Sequence, residues 1–252
     1  IGWLTGDWGQ TDWTNALKLG YDVVDLEWPA FLTASLGIDG ARLPSVGAPG
    51  VPLSTVSAEA AAATGLATTT RVASGSTDGT ASQLASGAVA PGDWNSTLGT
   101  TLVLKGVSHG LLRDPLGRIY SHRHPDGWWL PGAASSAGAD CIAQRFRPQD
   151  LDALNAAALD ASPTSMVIYP LARRGERFPF ARPEATGFAL GNASSDAAYY
   201  AAHLEGLAYV ERLCYQVVDG LGAQVGDRLY AAGGATRSQA GLQIRADVLG
   251  KG

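Results

Sequence analysis

The chain has 252 residues, with 18 Lys and Arg against 23 Asp and Glu, a net charge of −5 that argues against a nucleic-acid binder working through a basic face. With 46% hydrophobic and only 16% charged residues, against a usual charged fraction of about 25%, it can bury a sizeable core and is not a disordered chain. No run approaches the roughly 18 consecutive apolar residues that a spanning helix needs, and the N-terminus carries neither a basic region nor an apolar secretory core, so a soluble cytoplasmic protein is expected.

Heavy use of Gly (32 residues) with 13 Pro and many Ala suits an α/β protein with tight strand-to-helix turns. The first forty-odd residues, with Trp3, Trp8, Trp13 and Trp28 in a Gly, Asp and Thr-rich context, read as mostly loop, with a short helix near Trp28–Leu36. After Leu43-Pro44, the stretch Gly47 to Pro52 reads as a boundary or hinge. A helix is expected at Ala58–Ala63, a strand at Thr68–Ala73 and a helix from Asp78 to about Ala88. Strands at Trp94–Leu98, Thr101–Lys105, Gly117–Tyr120 and Gly127–Leu130 suggest antiparallel hairpins. Helices follow at about Ala134–Phe146 and Pro148–Leu159, then a strand at Met166–Tyr169 and a long helix from Ser195 to Val218. A strand at Arg228–Ala231 leads through Gly233-Gly234 into a last helix, Ser238–Leu249. A mixed sheet carrying helices is the expected architecture. The chain opens at Ile1 and stops at Lys251-Gly252 just past that helix, which points to a fragment.

Four segments are candidates for chemistry. Gly75-Ser76-Thr77-Asp78-Gly79 places one carboxylate between a strand and a helix start, at the carboxyl end of the sheet where open α/β folds bind ligands; any Asp opening a helix also serves as a cap. Thr97-Leu98-Gly99-Thr100-Thr101 is a turn able to aim N–H groups and two hydroxyls at phosphate oxygens, or simply a hairpin turn. Ala232-Gly233-Gly234-Ala235-Thr236-Arg237-Ser238 lets an anionic or flat ligand approach the backbone at a helix start, without matching either standard nucleotide fingerprint. Gly132 to Gly138 is a small-residue run entering a helix, read locally as packing. His122-x-His124 has metal-like spacing but no third ligand nearby, so it reads as solvated surface and no metal ligand is assigned. Cys141 and Cys214 form no C-x-x-C pair and read as small buried apolar residues.

Taken together and in order, these segments resemble the second half of the FGGY carbohydrate kinases. Asp78 occupies the place of the family's catalytic aspartate, Gly99-Thr100-Thr101 resembles its phosphate-binding turn, and Ala137-Gly138-Ala139 its nucleotide-touching helix start. Gly175-Glu176-Arg177 through Arg182-Pro183 is similar to its G-E-R loop, and His203-Leu204-Glu205-Gly206-Leu207-Ala208 to its R-A-x-L-E-G-I-A helix. His203 replaces a usually small residue there. Gly233-Gly234-Ala235-x-x-Ser238 with Ala246 to Gly250 resembles the adenosine segment. Asp12 to Asp22 is similar to a segment of the D-ribulose kinase branch, often labelled xylulose-kinase-like.

The resemblance implies an α/β fold of the ribonuclease-H-like type shared by actin and Hsp70, with ATP bound in a cleft. It places residues 1–45 in the tail of an N-terminal domain that is otherwise largely missing, and residues 46–252 in an incomplete C-terminal nucleotide-binding domain. The implied activity is transfer of the ATP γ-phosphoryl group to an open-chain ketopentose, with D-ribulose foremost and D-xylulose, another ketose or glycerol as alternatives. Asp78 would accept the hydroxyl proton, Gly99, Thr100 and Thr101 would bind phosphates, and Gly138, Gly233, Gly234, Ala235 and Ser238 would line the nucleotide site. Mg²⁺ would accompany ATP. The partners implied are ATP and a small sugar, with no nucleic acid and no membrane, and a homodimer is left open. Two other classes stay open beside this: a sugar-binding module built on the Trp-rich segment, and a non-catalytic actin-like protein in which Asp78 is a mere cap.

Overall fold

The computed structural model describes residues Ile1–Lys251; Gly252, the last residue of the expected second domain, lies outside the described residues. The chain forms two compact units, one of Ile1–Leu84 with His122–Trp128, the other of Ala85–Ser121 with the chain from Trp129 onward.

The first unit is built from short pieces. Strands Gln10–Asp12 and Ser45–Gly47 pair in parallel, and Pro52–Thr55 pairs antiparallel with Arg71–Ala73. The expected strand at Thr68 therefore begins only at Arg71, and the expected helix over Trp28–Leu36 shrinks to Phe31–Ala34. Side-chain caps start the helices: Asp12 caps Trp13–Ala16, and Ser57 Oγ accepts from the Ala60 N–H (3.2 Å) to cap Ala58–Thr64. Two tryptophans are used in packing. The Trp13 indole donates to the Arg123 carbonyl (3.2 Å) under the Arg123 guanidinium, and the Trp28 indole donates to the Pro44 carbonyl (2.9 Å) edge-on to Tyr21.

One expectation fails here. His124 is not solvated surface but 3% exposed, with Nδ1 accepting from the Asp126 N–H (3.0 Å), and burial lowers its pKa. The tight turn that returns the chain from His124 to Trp128 folds the ring inward, where it lies beside the Trp128 indole.

A five-stranded mixed sheet has the order Leu229–Ala232, Trp94–Leu98, Leu102–Gly106, Trp129–Ser135, Tyr120–Arg123, and its first four strands lie wholly in the second unit. The first two strands run parallel, from Leu229 beside Trp94 to Ala232 beside Thr97, and the next pairs are antiparallel. Helices Leu151–Ala161, Asp196–Gly220 and Gln239–Leu249 pack on one another, and the core gathers Trp94, Leu102, Leu104, Phe178, Tyr215 and Val218. The long helix also crosses Val167–Tyr169, and a Cβ on its Gly206 would stand 2.5 Å from the Ile168 carbonyl oxygen, so the crossing requires a residue with no side chain. Cys141 and Cys214 are buried free thiols, as expected, and burial pushes the Cys141 thiol up to about 12.

Three expectations are corrected in this unit. Gly132–Ser135 does not enter a helix but completes the strand Trp129–Ser135, and the expected helix over Ala134–Phe146 is only Asp140–Ala143. Alanine's helix preference is overridden because Ala133 and Ala134 sit in register with Leu104 and Val103 of the neighbouring strand, and Gly132 lies against the Tyr120 ring. The strand expected at Gly117 begins at Tyr120, since Asp114 gathers the Leu116 and Arg118 N–H groups into a turn first.

A buried ion pair ties the helices to the sheet. Arg245 donates through Nε to Glu211 Oε2 (2.6 Å) and through Nη2 to Glu211 Oε1 (2.9 Å) and Ser96 Oγ (2.9 Å). Glu211 is 1% exposed, so losing its partner strands a charge. Arg245→Met is expected to destabilise the fold by about 3–5 kcal/mol in chemical denaturation. A loss under about 1 kcal/mol, the value of an exposed pair, would contradict this reading.

Among the described residues, no helix is long and apolar enough to cross a membrane.

Candidate active site

The first unit presents Asp78 as the first residue of the helix Asp78–Ala85, with its side chain exposed and Oδ1 accepting from the Gly79 N–H (2.7 Å). Thr77 stands immediately before the helix, its hydroxyl 3.3 Å from that of Thr80. The Asp78 carboxylate is thus held at a solvent-facing turn.

In the second unit, three separated segments converge. Gly99-Thr100-Thr101 forms the turn between Trp94–Leu98 and Leu102–Gly106, with the Gly99 N–H donating to the Thr101 carbonyl (3.1 Å) and Thr100 exposed at its tip. Gly138 packs directly beneath it, so that a Cβ there would lie 2.2 Å from the Thr100 carbonyl oxygen. The two segments are also laced by backbone bonds, Ala139 N–H to the Gly99 carbonyl (2.8 Å) and Leu102 N–H to the Ala137 carbonyl (2.7 Å). Gly233, at φ +89°, approaches from the neighbouring strand, where a Cβ would sit 2.7 Å from the Leu98 carbonyl oxygen. Both its backbone angle and the space available select glycine.

From Gly233 the chain does not pass straight into the last helix. A 3₁₀ turn, Gly234–Arg237, intervenes, and Ala235 packs against the core. Ser238 then caps Gln239–Leu249, its Oγ accepting from the Gly241 N–H (2.9 Å) while donating to Asn155 Oδ1. Gly233 and Gly234 remain exposed, leaving their backbone open to a ligand.

Two supporting residues carried no assignment from sequence. Glu176, 3% exposed, accepts from Ser135 Oγ (2.9 Å), the Ser136 N–H (2.6 Å) and the Tyr169 hydroxyl (2.6 Å). Ser135 Oγ in turn accepts from the Ala137 N–H (3.0 Å), so this carboxylate fixes the segment leading into Gly138. Burial, and after it the bond to Glu176, push the Tyr169 phenol up. Asn155 takes hydrogen bonds from Ser238 and from the Tyr200 hydroxyl (3.0 Å). The G-E-R pattern signals Glu176; nothing near Asn155 in the sequence signals it.

Among the described residues, no group of three or more His, Cys, Asp or Glu side chains could hold a metal ion.

Residues 95–252 match the C-terminal domain of the FGGY family of carbohydrate kinases. The chain belongs to that family. It is 30% identical over 256 residues to the xylulose kinase of Escherichia coli (strain K12), a match covering 99% of this chain and 49% of that protein. Among solved structures it resembles xylulose kinase from Rhodospirillum rubrum (30% identity, TM-score 0.83, covering 99% of this chain and 52% of that one). It also resembles a xyloylose kinase from Brucella ovis (26%, TM-score 0.85, covering 99% and 53%). The chain spans about half the length of the curated relative it matches. The mixed sheet flanked by helices is therefore the ribonuclease-H-like fold of the FGGY sugar kinases.

Proposed function

We propose that this chain is the nucleotide-binding and base-bearing part of an ATP-dependent ketopentose kinase. The observation that carries the reading is the convergence of Gly99-Thr100-Thr101, Gly138 and Gly233 at one end of the central strands, in a chain of the FGGY family. The turn donates hydrogen bonds to the phosphates, and Gly138, Gly233, Gly234, Ala235 and Ser238 shape the nucleotide site. Asp78 accepts the proton of the attacking hydroxyl. A loose phosphoryl-transfer transition state needs positioning and charge neutralisation more than covalent chemistry, and Mg²⁺ arriving with ATP supplies part of the neutralisation.

Residues 1–45 belong, in this proposal, to the tail of an N-terminal FGGY domain and residues 46–252 to the C-terminal one. Because the family's chemistry depends on both domains closing, this polypeptide alone should turn over poorly.

The names of the relatives favour D-xylulose as acceptor. D-Ribulose, the foremost expectation from the Asp12–Asp22 segment, is the second reading. The test is coupled ADP release by a full-length kinase carrying this sequence, offered D-xylulose, D-ribulose and glycerol. Ketopentose-dependent release, fastest with D-xylulose, is expected. Preference for glycerol, or release unaffected by any sugar, would overturn the proposal.

A further inference from the structure

We propose that Thr14 is a positioning residue for Asp78, an inference that rests on the reading of Asp78 as the base. Thr14 lies 63 positions from Thr77 in sequence, is 1% exposed, and joins the two segments through one hydroxyl. That hydroxyl donates to Asp12 Oδ1 (2.5 Å) and accepts from the Thr77 N–H (2.9 Å).

The direction of this relay is set by Asp12. Its carboxylate, 1% exposed, also takes the Thr14 N–H (2.9 Å), the Asn15 N–H (3.2 Å) and Asn15 Nδ2 (2.6 Å). A carboxylate in such a setting only accepts, so the Thr14 proton points toward it and the hydroxyl lone pairs are left for Thr77. Bonds to a charged acceptor are the shorter and stronger kind, which makes the hydroxyl a fixed anchor rather than a free rotor.

Thr77 is therefore held twice, by its N–H on Thr14 and by its own hydroxyl beside the buried Thr80. Asp78 follows Thr77 directly and its carboxylate is exposed, so the place of its Cα is fixed through the backbone. A proposed base working at a hydroxyl needs that place held to a fraction of an ångström. Thr14 would act on turnover without touching either substrate.

The experiment compares Thr14→Val, Thr14→Ser, Asp78→Asn and the double variant Thr14→Val with Asp78→Asn in a full-length kinase carrying this sequence. Valine keeps the shape of threonine and removes the acceptor; serine restores it. Thr14→Val is expected to lower kcat by about 10–100-fold, with KM for sugar and ATP within about threefold, since misplacing a reacting group by an ångström costs on that order. Thr14→Ser should recover most of kcat. In the Asp78→Asn background Thr14→Val should add little, because residues acting as a unit are non-additive.

A folded Thr14→Val with unchanged kcat, a loss confined to KM, or a full additional loss on top of Asp78→Asn would each overturn the proposal while leaving Asp78 as the base. Unchanged kcat in Asp78→Asn alone would instead remove the reading beneath it. If Thr14→Val does not fold, Thr77→Pro is compared with Thr77→Val, since both lose the hydroxyl beside Thr80 and only proline also deletes the N–H that donates to Thr14. A lower kcat in Thr77→Pro than in Thr77→Val, with KM held, is then expected, and equal kcat in the two overturns the proposal.

Discussion

Asp78→Asn, introduced into a full-length kinase carrying this sequence, is expected to lower kcat by about 10²–10⁴-fold, the range that general base catalysis supplies. Asparagine matches aspartate in shape and can still accept the Gly79 N–H through its amide oxygen, so the helix start should survive. What it loses is the ability to take a proton. Nucleotide affinity should stay within about twofold and KM for the sugar should change little, since an interaction made only in the transition state moves kcat and kcat/KM together. Steady-state kinetics beside calorimetric ATP binding checks both halves. Retained turnover would return Asp78 to the role of a helix-start residue and revive the non-catalytic, actin-like reading.

Gly138→Val tests the other half of the site. Its Cβ would stand 2.2 Å from the Thr100 carbonyl oxygen and 2.4 Å from the Thr101 Cα, and neither backbone atom can move aside as a flexible side chain would. The turn must shift, and with it the bonds from Ala139 to Gly99 and from Leu102 to Ala137. Overpacking of this kind costs about 1–3 kcal/mol of stability. The larger effect is expected on ATP binding, a weakening of about tenfold or more, because the turn proposed to hold the phosphates is what moves. Gly99→Ala is the contrast: a Cβ there meets nothing within 4 Å, so stability should stay within about 0.5 kcal/mol. Calorimetric ATP titration and denaturant unfolding of both variants measure the two effects. A Gly138→Val protein with unaltered ATP affinity would separate Gly138 from the nucleotide site.

How much of this was legible in the sequence depends on the range of the forces involved. The hairpin Trp94–Leu98 with Leu102–Gly106 and the helix Asp196–Gly220, capped by Ser195, stand nearly where local pattern placed them. Local preference and tertiary demand agree in both. They conflict at Gly132–Ser135, where alanine-rich sequence reads as helix and strand pairing with Leu102–Lys105 wins. They conflict again at His124, whose burial is set by a turn five residues long that charge and spacing do not reveal.

In the candidate site, the glycines at 138 and 233 could be marked as points of close approach, and the structure supplies the surfaces they approach, the Thr100 and Leu98 backbones. The supporting polar residues were harder to find. Asn155 and Thr14 act through partners 83 and 63 positions away, and no spacing rule links residues brought together only by the completed fold.

The decisive measurement is amide hydrogen exchange of a full-length kinase carrying this sequence, with and without a non-hydrolysable ATP analogue. The predicted result is slowed exchange in the peptides covering 99–102, 137–140 and 233–238, the segments proposed to hold the nucleotide. The contradicting result is unchanged exchange in all three with protection elsewhere, for example around the cavity of about 500 Å³ lined by Glu211, Leu229, Gln243 and Arg245.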